Sequence, residues 1–238
     1  MLEPNTIERA LVVTAHPDDV DFGAAGTVAT LTDAGVHVTY CLVTDGDAGG
    51  FDDTVARPAM AAIRREEQTA AAKEVGVADL IFLGHPDGQV EASLHLRHEI
   101  SRVIRRVRPT VVITQSPERN LERIYASHPD HLATGEATLC AVYPDSRNPF
   151  AFPELLECGF EPWAVSEVWI MGGSAPNVPI DITDHVDRKI RALRCHHSQH
   201  VDPDGVEARV RAWVAATAAT FGLPDGRSAE AFRVVDTR

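Results

Sequence analysis

The 238 residues carry 44% hydrophobic side chains, enough for a sizeable buried core, and a net charge of −13 that disfavours nucleic acid outside a local basic patch. No stretch approaches a membrane span, and Met1-Leu2-Glu3-Pro4-Asn5 lacks the basic and apolar regions of a signal peptide, so a cytoplasmic chain is expected. The four cysteines, Cys41, Cys140, Cys158 and Cys195, show no paired spacing; they read as small core residues and point to neither a disulfide framework nor a thiolate metal site.

In chain order, the apolar run Ala10-Leu11-Val12-Val13-Thr14 predicts a buried strand, and residues 22–34 predict a helix that stops at Gly35. His16-Pro17-Asp18-Asp19 is the corner between them. A strand at 36–43, a helix at 59–75, a strand at 80–83, a helix at 94–107 and a strand at 110–114 follow. The basic cluster from Arg97 to Arg108 has helical spacing and reads as a solvated helix face. Pro129 suits the first position of a further helix, which places His128 near its N-cap and His131 inside its first turn. Residues 143–162, broken by four prolines, read as a locally packed insertion or an oligomer contact. A strand at 165–171 and a helix at 184–195 complete the pattern. Alternating strands and helices without an internal repeat predict one α/β domain over residues 1–238, with a mostly parallel sheet covered by helices on both faces. No Gly-x-Gly-x-x-Gly follows the first strand, so a dinucleotide cofactor is not expected.

The chemistry concentrates in two short words, His16-Pro17-Asp18-Asp19 and His128-Pro129-Asp130-His131. Zinc hydrolysis requires three nitrogen or oxygen ligands, an open position for water, and an unligated carboxylate to take the water's proton. His16 and Asp19, three apart in a tight turn, can converge on one ion. Asp18 between them must point elsewhere, which makes it the candidate base. His128 and His131 share a helix face, so one can ligate while the other meets the substrate. Both words can also be read as helix caps, with their carboxylates resting on the N-terminal dipole. Their joint placement after strands of one sheet favours a metal site.

These words resemble those of the PIG-L/LmbE-like zinc de-N-acetylases. His16-Pro17-Asp18-Asp19 with Gly23 and Gly26-Thr27 is similar to the family's first motif, and His128-Pro129-Asp130-His131 to its His-x-x-His word. Thr44-Asp45-Gly46, Arg64 with Glu67, Phe82-Leu83-Gly84, Asp87-Gly88, and the late Asp181-Ile182-Thr183, Lys189, His196 and Ser198-Gln199 extend the likeness over most of the chain. The resemblance implies a Rossmann-like layout, Zn2+ (or another divalent transition metal such as Fe2+) on His16, Asp19 and His131, Asp18 as general base, and His128 facing the tetrahedral intermediate. It also implies sugar contacts from Arg64, Asp87 and His196, and a homo-oligomer. Where many members carry Glu after the two aspartates, this chain has Val20 followed by Asp21.

Two loops are expected to shape the pocket. Residues 44–58 carry Asp45, Asp47, Asp52 and Asp53 but lack the terminal Glu of an EF-hand, so they read as a flexible rim. Residues 116–127 bring Arg119, Asn120, Arg123 and Tyr125 within reach of a substrate. The functional expectation is a zinc-dependent hydrolase that removes an N-acyl group, most simply acetyl, from a small amino sugar or its glycoside. The alternatives are an amidase acting on thiol conjugates and a non-catalytic, metal-containing sugar-binding protein. The leaving amine's proton is expected from protonated Asp18, or from His128 as a cationic donor.

Overall fold

Five apolar runs form strands β1 (Arg9–Thr14), β2 (His37–Thr44), β3 (Asp79–His85), β4 (Val111–Gln115) and β5 (Glu167–Met171), which pair in parallel in the order β3-β2-β1-β4-β5. The computed structural model describes Leu2, residues 6–122 and residues 124–238. Met1, Glu3, Pro4 and Asn5 of the stretch read for a leader, and Arg123 of the second loop, lie outside the described residues. Two more strands, β6 (Val178–Asp181) and β7 (Ala229–Asp236), extend the sheet beyond β5 in the order β5-β7-β6, with β7 antiparallel to both neighbours.

Both faces of the parallel strands are buried, which is why they read as continuous apolar runs. Successive side chains of β1 alternate between the two faces. Val12 joins Tyr40, Leu42 and Trp169 beneath helices α2 (Ala25–Asp33), α3 (Arg57–Glu74) and α7 (Val186–Arg194). Leu11 and Val13 join Cys41 and Val43 beneath α4 (Leu94–Val107) and α5 (Pro129–Val142). A third cluster, including Ile190, Leu193, Val210 and Val214, packs α7 against α8 (Pro203–Thr220). Each fully buried Leu, Ile or Val contributes about 1.5–3 kcal/mol, and the three clusters fix the frame on which the site is hung.

The helix expected over 22–34 is two helices, α1 (Asp19–Gly23) and α2, broken at Ala24 with φ −147°. The cause is distant in sequence. Glu230 of β7 accepts from the N–H groups of Gly26 (3.0 Å) and Thr27 (2.8 Å), capping α2. Lys189 of α7 donates to the carbonyls of Asp21 (2.9 Å) and Phe22 (2.5 Å) at the end of α1, and to Glu230 Oε1 (2.7 Å). This buried ion pair satisfies both helix ends where a continuous helix would satisfy itself.

Other expectations are corrected. The basic run of α4 is not simply a solvated face: Arg105 is buried and donates to the carbonyls of Asp145, Ser146, Asn148 and Ala151, while Arg97 forms a two-pronged pair with Asp145 at 2.9 Å. These arginines fasten the segment after α5, which includes the short helix α6 (Pro153–Glu157). Cys41 is a core residue, but Cys158 is exposed. In the rim at 44–58, Asp45 and Asp47 are taken by Arg65 (both contacts 2.7 Å) and Arg57 (2.6 and 3.0 Å), so those carboxylates face arginine partners.

Candidate metal centre and active site

Strands 1, 2 and 3 are laid down in one direction and strands 4 and 5 in the other, so the order reverses between β1 and β4. In open α/β sheets ligands bind outside the carboxyl ends of the strands at such a switch point. Here the two strands are tied at that end by a hydrogen bond from Ala15 N to Gln115 Oε1 (2.9 Å). One residue later comes His16. A Cβ at Gly135 of α5 would lie 2.4 Å from the Gln115 carbonyl oxygen, so this helix rests its backbone on the end of β4 and brings the His128–His131 turn over the same point.

Three ligand atoms then converge. His16 Nδ1 lies 3.2 Å from His131 Nε2 and 3.3 Å from Asp19 Oδ2, and His131 Nε2 lies 3.0 Å from Asp19 Oδ1. With metal–ligand bonds near 2.0–2.1 Å, ligands of a tetrahedral zinc site stand about 3.3 Å apart, so this tripod has the spacing an ion needs. The opposite edge of His16 is occupied too: Nε2 is 3.2 Å from Asp130 Oδ2 and 3.2 Å from Asp87 Oδ1. Asp130 is in turn oriented by the backbone N–H groups of Gly88 (2.7 Å) and Val90 (3.2 Å).

The electrostatics demand positive charge at this point. Burial pulls His16 toward the neutral form, yet hydrogen bonds to Asp130, Asp19 and Asp87, with the charge of Asp19, outweigh it and raise the imidazole to about 12. Asp19 stays well below the usual carboxylate range, because His131 and His16 overcome the cost of its burial. Asp130 and Asp87 are also lowered against burial, Asp130 by His16 and its two backbone donors and Asp87 mainly by His16. A divalent cation satisfies the same ionised groups as the proton held on His16.

Asp18 stands apart from this tripod. Its backbone is left-handed, with φ 83°, and its N–H donates to Gln68 Oε1 (2.8 Å). Holding a non-glycine residue there costs about 1–3 kcal/mol, a strain characteristic of functional positions. Burial raises its carboxyl to about 6; Arg64 opposes that shift, Asp19 adds to it, and His196 and His16 oppose it. His128 caps α5, its Nδ1 accepting from Asp130 N at 3.2 Å. That bond leaves the proton of the neutral ring on Nε2. Burial, then His16 and His131, hold His128 below its ordinary pKa. This favours the neutral ring at pH 7 over the cationic donor expected from the sequence.

Arg64 and His196 are placed differently from the sugar contacts expected of them. Arg64 is only 3% exposed. It donates to the carbonyls of Gly46 (3.0 Å) and Pro17 (2.5 Å) and lies 3.3 Å from Asp18 Oδ2. Gly46, with φ 64°, makes room for it, since a Cβ there would meet the guanidinium at 2.2 Å. Glu67, three residues on in α3, accepts from Ser198 N and Oγ, both at 2.7 Å. His196 is fully buried, with Nε2 2.8 Å from Asp21 Oδ2. Both side chains stand behind Asp18 and away from open solvent. Asp87 is nearly buried, between His16 and the rim, where Ala48 N donates to it (3.3 Å).

Sequence reading missed three partners. Asp130 sits inside the His-x-x-His word, but only the fold shows it touching His16. Asp21 falls at the departure after Val20, and with Gln68, which donates to it at 2.9 Å, it links His196 to the Asp18 backbone. Beside Asp19 and His131 opens a cavity of about 330 Å³, lined also by Gln115, Asn120, Met171, Trp213 and Phe221. Its volume is that of a small-ligand site.

Residues 11–142, more than half of the chain, match the family model for PIG-L, the GlcNAc-PI de-N-acetylases. The chain belongs to this family. Over 97% of its length it is 33% identical to diacetylchitobiose deacetylase of Thermococcus kodakarensis, covering 84% of that protein. It is 31% identical, over 80% of its length and 81% of the relative's, to a probable N-acetyl-alpha-D-glucosaminyl L-malate deacetylase 2 of Bacillus anthracis. The solved N,N'-diacetylchitobiose deacetylase of Pyrococcus horikoshii superposes with a TM-score of 0.90 at 30% identity, covering 98% of this chain and 85% of that one. This PIG-L chain is thus an amide-hydrolysing deacetylase with a His/Asp cluster able to hold a divalent metal, on the family's mostly parallel α/β fold. Among the described residues no helix is long and apolar enough to cross a membrane.

Proposed function

We propose that this PIG-L chain removes the N-acetyl group from an N-acetylglucosaminide, with one zinc ion, or Fe2+ in its place, held by His16, Asp19 and His131. The observation that carries the reading is the separation of roles in one corner: three ligand atoms 3.0–3.3 Å apart, with the neighbouring carboxyl of Asp18 raised to about 6. His128 also lies within ligand distance of His16 and His131, but its Nδ1 is committed to the α5 N-terminus, so Asp19, with both oxygens facing the tripod, is the better third ligand.

When bound, the ion polarises the amide carbonyl and acidifies water. Asp18 accepts the proton of the attacking water on its carboxylate, and its position near 6 leaves it ionised yet basic enough at neutral pH. Arg64 holds that carboxylate in place from behind. Neutral His128 donates its Nε2 proton as a hydrogen bond to the oxygen that gains charge as the amide carbon becomes tetrahedral. Protonated Asp18 then returns its proton to the departing amine nitrogen. Asp130 and Asp87 fix the His16 ring from its far edge, and Asp21, Gln68 and His196 support the Asp18 turn.

The cavity lining supports an amino-sugar substrate. Its polar lining residues Asp19, Gln115, Asn120 and His131 suit sugar hydroxyls and the amide, while Trp213, Phe221 and Met171 offer apolar surface to the face of a sugar or its aglycone. Relatives named as deacetylases of diacetylchitobiose and of a glucosaminyl malate support a glycoside over the free sugar. Residues 143–162 expose Phe150 (88%) and Tyr143 (67%), and we read them as the contact between copies of the chain. The decisive assay follows acetate and amine release from N,N'-diacetylchitobiose, N-acetylglucosamine, N-acetylglucosaminides and acylated thiol conjugates by zinc-loaded protein. Release from an N-acetyl glycoside is expected. Metal-loaded protein that frees no acetate from any amino sugar overturns the proposal.

A further inference from the structure

A second group of metal-ligating side chains lies outside this site, where β3 leaves the sheet and α4 begins. His85 ends β3, and His95 and Glu99 stand one turn apart on α4, which i,i+4 spacing places on one helix face. His85 Nε2 is 2.6 Å from Glu99 Oε2, and His95 Nε2 is 3.6 Å from the same oxygen. The two imidazole rings are 5.9 Å apart between centroids and tilted by 52°. One ligand atom from each of the three residues lies within 4.8 Å of the others.

From this arrangement we propose that His85, His95 and Glu99 form a second binding site for a divalent transition metal, independent of the catalytic ion. The two contacts, 2.6 and 3.6 Å, bracket the roughly 3.3 Å between ligands of a tetrahedral zinc centre, so side-chain rotation alone closes the set. Two imidazoles and one carboxylate select a borderline cation such as Zn2+, Co2+ or Ni2+ over Mg2+ or Ca2+, which take oxygen ligands. The exposures fit an open, reversible site. Glu99 (17%) and His85 (21%) are held in place by the fold, whereas His95 (73%) is free to swing onto an arriving ion, and solvent supplies the remaining position.

Ordinary pairing accounts for each contact taken singly, His85 with Glu99 across the fold and His95 with Glu99 at i,i+4; what points to a metal is that both imidazoles converge on one carboxylate oxygen. The site also touches the catalytic centre through the chain. Two and three residues beyond His85, Asp87 contacts His16 and Gly88 N donates to Asp130, so an ion on His85 anchors the strap that places both.

The test is zinc stoichiometry and affinity on metal-stripped full-length protein, by titration against a chromophoric chelator, with Tm recorded alongside. Wild type is expected to take up two equivalents. His95→Ala, a change at an exposed position, and Glu99→Gln are each expected to take up one, with the second affinity reduced by at least about 10–100-fold, the loss that removal of a mere supporting residue causes. His16→Ala with His131→Ala is expected to keep the second equivalent, which separates this site from the catalytic one. The zinc-induced rise in Tm at concentrations filling the second site should disappear in His95→Ala while deacetylase activity at one equivalent of zinc stays at the wild-type level. One equivalent in wild type, or two in His95→Ala, overturns the assignment.

Discussion

Asp130 Oδ2 lies 3.2 Å from His16 Nε2, on the opposite edge of the imidazole from the nitrogen that faces His131 and Asp19. A metal-binding histidine oriented by a carboxylate through its other nitrogen has a fixed tautomer and greater basicity. Asp130 comes from the same helix turn as His131, so one short word supplies both a candidate ligand and the support for another.

Replacing Asp130 with Ala is therefore expected to weaken zinc binding by about 10–100-fold while leaving the three ligands in place. Competition with a chelator of known affinity measures it. Because Asp130 also receives Gly88 N and Val90 N, the strap at 88–90 should loosen in the same variant, read as faster amide hydrogen exchange there. Undiminished zinc affinity would show that Asp130 only anchors the strap.

Asp18→Asn should retain zinc and lose most turnover, since the amide is nearly isosteric but cannot take a proton. His16→Ala and His131→Ala should instead lose the ion. The pH profile follows from the raised carboxyl: the base must be ionised, so kcat/KM rises with pH through about 6 and levels above it. Any residual activity of the Asn variant should lack that limb. Equal zinc loss in all three variants would put Asp18 among the ligands.

His128→Ala is expected to lower kcat by about 10²–10³ with little change in zinc content or KM, the pattern of a donor engaged mainly in the transition state. Its pKa lies below the ordinary histidine value, so its ionisation belongs to the acid side of the profile. An alkaline fall, where one exists, should survive the substitution. If His128→Ala abolishes that fall, the ring acts as a cation and the neutral-donor reading fails.

The parts of this molecule legible in its sequence are those whose causes are local. β1, β2, β4 and β5 are buried on both faces and announce themselves as apolar runs, and the tripod is carried by two four-residue words in which ligands sit three apart. What escaped depends on distant partners. The α1–α2 break needs Glu230 and Lys189, roughly 200 and 170 residues on, and no local pattern of residues 19–34 contains them. β6 is an edge strand of four residues with a proline, Pro179, that an interior strand would not tolerate. α8 is rich in alanine and has only a thin apolar stripe, Val206, Val210 and Val214. The sugar contacts expected of Arg64 and His196 come from the family resemblance, which carries no information on how deeply either side chain is buried in this chain. Burial decides otherwise, turning both toward Asp18's support.

The His196–Asp21 pair gives the last prediction, because both side chains are fully buried and bonded at 2.8 Å. Burial pulls His196 down, but the hydrogen bond and charge of Asp21 more than offset it, with Asp18 and Glu67 adding to the rise, so the folded pKa is above 6.5. The native state then holds this proton more tightly than the unfolded chain does. The pair's contribution is fully present below about pH 6.5 and is lost as pH rises through the raised folded value. His196→Phe removes the cation and leaves Asp21 buried with Gln68 as its remaining side-chain donor, an imbalance expected to cost about 3–5 kcal/mol. Urea unfolding from about pH 6 to 9 should show the wild-type advantage shrinking as pH increases above 6.5. A difference that stays constant across the range would mean that His196 is neutral in the folded protein and acts on Asp21 as a hydrogen-bond donor alone.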